Sequence, residues 1–182
     1  GLYDAMNKGL KLSNGEVIVF VNSGDILTKK ALSIVHKKFK NRDIDFVFGT
    51  VKRHYTKKTI LKYGYNPKRI LYNFDFATSH STGFFIKKKS FLKIGKFNLK
   101  YKCSADYDLY YKAIVKFKMK GDQTLKNQLI GEVSAGGFSS KFSFYEHLFE
   151  ETSIRLDNKQ NIFFVIIIFI NSVIKNFLKK LY

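Results

Sequence analysis

Residues 16–25, EVIVFVNSGD, decide the fold. Val17 to Val21 is an unbroken apolar run rich in β-branched side chains and bounded by the turn formers Gly15 and Asn22. Such a run fits a strand covered on both faces, which points to a mostly parallel central sheet flanked by helices. The strand then spills into Asn22-Ser23-Gly24-Asp25, a polar turn with one carboxylate. In open α/β sheets ligands bind beyond the carboxyl ends of the strands, so this turn stands where chemistry is expected. Two readings of Asp25 follow from spacing. It caps a helix that starts near Thr28, or, with Asn22, it holds a hard divalent cation that takes the rest of its shell from diphosphate and water. Spacing alone favours the cap slightly.

The neighbouring segments fit the same layer. Leu2, Ala5, Met6 and Leu10 recur at helical spacing, and Ser13-Asn14-Gly15 offers residues that tolerate a left-handed stop. Residues 28–40 place Ala31, Leu32, Val35 and Phe39 on one helical face with Thr28 as N-cap. A second apolar strand runs from Ile44, giving the strand, helix, strand order of an α/β domain. Residues 51–65 read as a hairpin, 82–88 as a strand, the stretch from Lys89 as a short helix closed by Gly95, and 129–133 as a strand. A helix beginning at Ser104 and another near Phe144 complete the pattern. The first 140 residues read as one domain and 141–182 as a helical appendage.

Composition narrows the class without choosing a function. In 182 residues, 45% hydrophobic and 16% aromatic content is ample for a packed core. Lys and Arg number 33 against 14 Asp and Glu, a formal charge of +19, which favours anionic partners: nucleic acid, anionic lipid or phosphorylated small molecules. The charges are spread as pairs and triplets and no helix-turn-helix or RNA-binding motif is visible, so nucleic acid is not the expected partner. The competing reading is a non-catalytic basic protein on nucleic acid or anionic membrane. Cys103 is the only cysteine, which excludes an internal disulfide and a paired-cysteine metal site and fits a reducing, cytoplasmic setting. The amino terminus lacks the charged start and apolar stretch of a signal peptide.

The tail differs from the rest. Ile162 to Ile170 are all apolar; this run makes about 14 Å of helix against about 30 Å of bilayer hydrocarbon, too short to span by itself. From Ile170 onward, Val173, Ile174, Phe177, Leu178 and Leu181 form a stripe opposite Lys175, Lys179 and Lys180. An in-plane membrane helix and a helix packed on the domain or a second subunit fit this pattern equally.

Asp106 and Asp108 stand two apart at a helix start, so they do not share a face, and only one can point into a site. A general base needs an ionised carboxylate within reach of a hydroxyl, and a helix N-terminus favours ionisation; Asp106, nearer the end, is the better candidate. Helix capping is the alternative for both. His80 could contact a phosphate or an acceptor hydroxyl and is as readily a structural polar contact. Gly136 and Gly137 could admit a diphosphate to the backbone, although a plain loop is commoner for such a pair.

In order, GLYDAMNKGLKLSNGEVIVFVNSGD, HSTGFFIKKKSFLKIGKFNLKYKCSADYDLYYKA and AGGFSS resemble segments of bacterial family 2 glycosyltransferases of the GT-A fold, in the branch that builds colanic-acid-like surface polysaccharides. The resemblance runs over roughly residues 1–155. It implies inverting transfer of a sugar from a nucleotide-diphosphate donor to a saccharide or polyprenyl-linked acceptor, with Mg2+ or Mn2+ at the diphosphate. Asn22 and Asp25 then occupy the donor diphosphate and metal motif, with Asp25 as the metal ligand, and Asp106 is the base. Asn7, His80, Asp108, Gly136 and Gly137 become candidate acceptor or phosphate contacts. The motif departs from the usual Asp-x-Asp-Asp, leaving Asp25 as its only carboxylate. Relatives also carry earlier βαβ units, so the chain resembles a GT-A domain lacking its N-terminal part, and whether it transfers sugar alone stays open. The expected location is cytoplasmic, peripheral on the inner face of the membrane through residues 162–182.

Overall fold

The computed structural model describes residues 1–181 except 57, 73–75, 79 and 135, with side chains 41, 180 and 181 also left aside. In chain order the elements are α1 (Leu2–Leu12), β1 (Val17–Ile18), β2 (Ile26–Leu27), α2 (Ala31–Asn41), β3 (Phe46–Phe48), β4 (Thr50–His54), β5 (Thr59–Lys62) and β6 (Phe84–Lys87). They continue with α3 (Lys88–Ile94), α4 (Ala105–Tyr111), β7 (Gly121–Gln123), β8 (Leu129–Val133), α5 (Phe144–Asp157) and α6 (Ile162–Leu181).

The strands form two four-stranded sheets, ordered β1-β6-β3-β7 and β2-β8-β4-β5. Side chains of the first sheet alternate between two cores, as the period of two requires. Ile18, Phe46, Phe48, Phe84 and Ile86 face one core, shared with Tyr3, Met6 and Leu10 of α1, Phe91 of α3 and Tyr110 of α4. Val47 and Phe85 face the other, which α2 covers through Ala31 and Val35. The α/β architecture with helices on both faces is therefore present. Strand direction is not as expected. Among the described residues only β3 with β7 and β4 with β8 pair in parallel, while β1–β6, β2–β8, β3–β6 and β4–β5 are antiparallel. Burial on both faces dictates an apolar run; it does not dictate direction, and β6 runs antiparallel between two strands that helices cover from both sides.

The apolar stretch from Ile44 divides at Gly49, where the chain passes from the first sheet to the second. A Cβ there would lie 2.6 Å from Cγ1 of Ile130, so only glycine lets β8 close onto this crossing. The predicted hairpin forms, with Arg53 opposite Ile60 and His54 opposite Thr59. Two predicted helix ends differ. Thr28 is not an N-cap: α2 starts at Ala31, and the Thr28 hydroxyl donates to the Leu129 carbonyl at 2.8 Å, tying the β2 end to β8. α1 ends through an extended Ser13, whose hydroxyl donates to the Leu10 carbonyl at 2.7 Å, so no left-handed residue is needed.

α5 belongs to the main core. It carries Ser143 as N-cap in a reciprocal pair with Glu146, and Ile154 joins the α1, α3 and α4 cluster. α6 is one 20-residue helix with an 18-residue window of mean hydropathy 1.9 over Ile162–Lys179, of which 11% is buried. By length and composition it could cross a membrane, because the helix runs on uninterrupted past the apolar stretch that ends at Ile170.

Candidate functional site

The turn after β1 is closed by the Asp25 N–H donating to the Asn22 carbonyl at 3.0 Å. Gly24 at φ +87° supplies the left-handed residue this turn requires. The chain then enters β2, not a helix, so Asp25 caps nothing: its carboxylate is fixed by neighbours brought from far along the sequence. The Thr82 hydroxyl donates to its Oδ2 at 2.6 Å, and the Ser134 N–H, just past β8, donates to Oδ1 at 3.3 Å. Nδ1 of His80 lies 3.9 Å from Oδ2. Asn22 is held similarly, with Nδ2 donating to the Ser81 hydroxyl at 2.8 Å. The Asp25 side chain is only 5% exposed.

Asn22, Gly24, Asp25, His80, Ser81 and Ser134 line a cavity of about 500 Å³ that also includes Arg53, Gly136, Gly137 and Asp106. Its apolar wall is built by Tyr3 and Met6 of α1, Phe20, Phe84, Phe97 and Tyr110. Asp106, in the first turn of α4, accepts from the Tyr107 N–H at 2.9 Å and from the Tyr3 hydroxyl at 3.3 Å. Burial pushes its carboxyl above the ordinary range, against the opposing effect of these two donors. Asp106 also borders a smaller cavity of about 150 Å³ with Cys103, Ser104, Tyr107, Ser139 and His147. The Cys103 thiol is no nucleophile there, since burial pushes it up to about 12. Burial lowers the His80 pKa; the Arg53 guanidinium adds to this and the Asp25 carboxylate opposes it. His80 is thus a neutral group at neutral pH.

Asn22, Asp25, His80, Asp106, Gly136 and Gly137 are brought together. Asn7 and Asp108 are not. Asn7 clips the backbone of Phe97, its Nδ2 donating to the carbonyl at 3.0 Å and its Oδ1 accepting from the N–H at 2.9 Å. It holds the α3–α4 connection on α1 and does not line the cavity. Asp108 is 2% exposed and turned the other way, paired with Lys112 at 2.6 Å and accepting from Asn158 at 3.1 Å. A two-residue step on a helix rotates its side chain away from the face Asp106 occupies. Sequence reasoning missed Tyr3, Thr82, Ser134 and Arg53. The one available signal was strand alternation, which puts Arg53 on the face of Val51; Val51 packs on the turn around Gly83.

No group of three or more His, Cys, Asp or Glu side chains that could hold a metal gathers among the described residues. Asp25, with Asn22 in the same turn, is the carboxylate this part of the cavity offers among the described residues. One carboxylate suits a hard cation that fills its shell from phosphate oxygens and water, and is too little for one caged by protein alone.

Solved structures share this architecture. The chain superimposes on Staphylococcus aureus TarS 1–349 with a TM-score of 0.64 at 16% identity, covering 94% of this chain and 51% of that one. With the same TarS segment in complex with UDP-GlcNAc the TM-score is 0.63 at 16% identity, covering 92% and 50%. The TarS segment in complex with UDP gives 0.59 at 15% identity, covering 81% and 42%. The chain thus spans about half the length of TarS 1–349, and the likeness shows the fold, a GT-A-like α/β arrangement. A search of the curated proteins found no match. The family model of glycosyl transferase family 2, however, matches residues 1–149, most of the chain and all of the cavity, and the chain belongs to that family.

Proposed function

We propose that the chain transfers a sugar from a nucleotide-diphosphate donor to an acceptor hydroxyl, with inversion, in the assembly of a surface polysaccharide or glycolipid. The observation that carries this reading is one cavity with Asp25 and Asn22 on one wall and Asp106 on another. UDP and UDP-GlcNAc, the ligands of the TarS complexes, are the donor class we assign.

In this reading the diphosphate lies at the Asn22–Asp25 turn and Gly136–Gly137, where backbone unshielded by side chains can approach phosphate oxygens. Mg2+ or Mn2+, held by Asp25 with Asn22 beside it, would neutralise diphosphate charge and ease departure of the nucleotide. The apolar wall of Tyr3, Phe20 and Phe84 excludes water from the sugar. Asp106 takes the proton of the acceptor hydroxyl, which enters from the smaller cavity it also borders. Tyr3 and the Tyr107 N–H keep the Asp106 carboxylate oriented, and its elevated pKa makes it a stronger base once ionised. A polyprenyl-linked acceptor at the inner membrane face suits the apolar, Lys-bearing α6.

The test is turnover of a panel of nucleotide sugars with and without Mn2+. Asp106→Asn is expected to lower kcat by roughly 10²-fold or more, the scale of a lost general base, and Asp25→Ala to abolish the metal response. Full activity in both variants would remove the assignment.

A further inference from the structure

We propose that Arg53 is the anion anchor of the cavity, binding a phosphate group of a substrate through its guanidinium. Arg53 lies on β4 and lines the cavity beside His80 and Asp25. Its Nε is buried and has no hydrogen-bond partner among the described residues. Arg155, which is 1% exposed, shows how this fold treats a structural arginine: its Nε and Nη2 both donate to Glu151, at 3.3 and 2.8 Å, and it also donates to the carbonyls of Ile70 and Leu71 and to Oε1 of Gln160. Arg53 takes part in none of the ion pairs among the described residues. Its guanidinium carbon instead lies over the Tyr55 ring, 5.2 Å from the centroid.

A cationic donor buried without an acceptor is costly and rare. On a side chain that also lines a cavity, a bound ligand can bring the missing acceptor. The planar fork matches two oxygens of one phosphate, a geometry lysine cannot reproduce. Asp25, the sole carboxylate of the turn, already accepts from Thr82 and Ser134, so a fixed positive charge on the protein complements the little it can offer through a cation. The phosphate has two sources, the diphosphate of the donor or a phosphate carried by the acceptor; the first rests on the nucleotide-sugar reading above.

Titration calorimetry of the 182-residue chain with pyrophosphate, UDP and glycerol 3-phosphate, in EDTA and in Mn2+, decides the matter. Arg53→Gln is expected to weaken pyrophosphate and UDP binding at least tenfold in both conditions, Arg53→Lys to recover only part, and the Arg53→Gln melting temperature to hold or rise because a buried N–H without an acceptor is gone. A loss confined to glycerol 3-phosphate assigns the acceptor as the source. Unchanged affinities in Arg53→Gln overturn the anchor and leave the transferase reading standing. Failure of the unsubstituted chain to bind any of the three overturns both.

Discussion

At the scale of single residues, Asp106 binds its proton more tightly than an aspartate in water, because burial penalises the carboxylate more than Tyr3 and the Tyr107 N–H relieve it. A base acts only when ionised, so the rate rises as pH climbs through the pKa of Asp106. The acidic limb of a pH–rate profile is therefore expected above the ordinary aspartate range of about 3.9. Tyr3→Phe removes a donor that favours the ionised form, and should move the limb further toward alkaline pH while lowering kcat at neutral pH. A limb at the ordinary value, unmoved by Tyr3→Phe, would separate Asp106 from the proton transfer. The residue scale is also where the sequence was least legible. Asp106 and Asp108 differ only by a rotation on α4, which a helical reading resolves. Asn7 and Asn22 are both asparagines beside apolar runs, and only the fold shows that one clips backbone while the other holds the site turn.

Among elements, α5 is fastened by a buried pair that no periodicity announces. Arg155 is 1% exposed, bonds Glu151, and reaches back to the turn at residues 70 and 71. Removing it leaves a buried carboxylate without its cationic partner, while the Leu71 and Ile70 carbonyls keep donors from Gln160 Nε2 and the Tyr107 hydroxyl, so Arg155→Leu is expected to cost about 3–5 kcal/mol in urea denaturation. Glu151→Gln keeps an acceptor at the same place and should cost less. Burial pushes Glu151 up to about 7, with Arg155 opposing. Its folded pKa exceeds the unfolded one, so its contribution is complete below the ordinary carboxylate range and is lost as pH rises through about 7. Denaturation midpoints should show that slope, flattened in Glu151→Gln. An equal cost for both substitutions would assign the stability to the charge pairing rather than to the acceptor that Gln keeps. Most element positions were legible, since strands 84–87 and 129–133 and helix 144–157 each carry their own apolar pattern. Their directions were not: β1 and β6 are apolar on both faces whichever way they run, and direction is set by connections that leave no periodicity.

The whole molecule sets a compact α/β domain of high positive charge against a helix that the domain covers on one side only. Val165 and Ile168 of α6 are buried, and Phe169 packs on Phe149 of α5 at 5.9 Å between ring centroids. Phe163, Ile167, Ile170, Ile174 and Phe177 stay at least half exposed. A helix of about 30 Å is long enough to span, but one that keeps the contacts of Val165, Ile168 and Phe169 with the domain would lie against its surface instead. Its outer face would enter the acyl boundary while Lys175 and Lys179 meet anionic headgroups, as an interfacial helix does. The formal charge of +19 adds attraction that salt screens. Cosedimentation with vesicles containing anionic lipid is expected for the intact chain, weaker with neutral vesicles or at high salt, and lost on deleting residues 161–182 or in Ile167→Asp with Ile170→Asp. A second copy of the chain is the competing occupant of that face. Concentration-dependent dimerisation without vesicles, abolished by the same double substitution and accompanied by no lipid binding, would give the face to a subunit contact and end the membrane assignment.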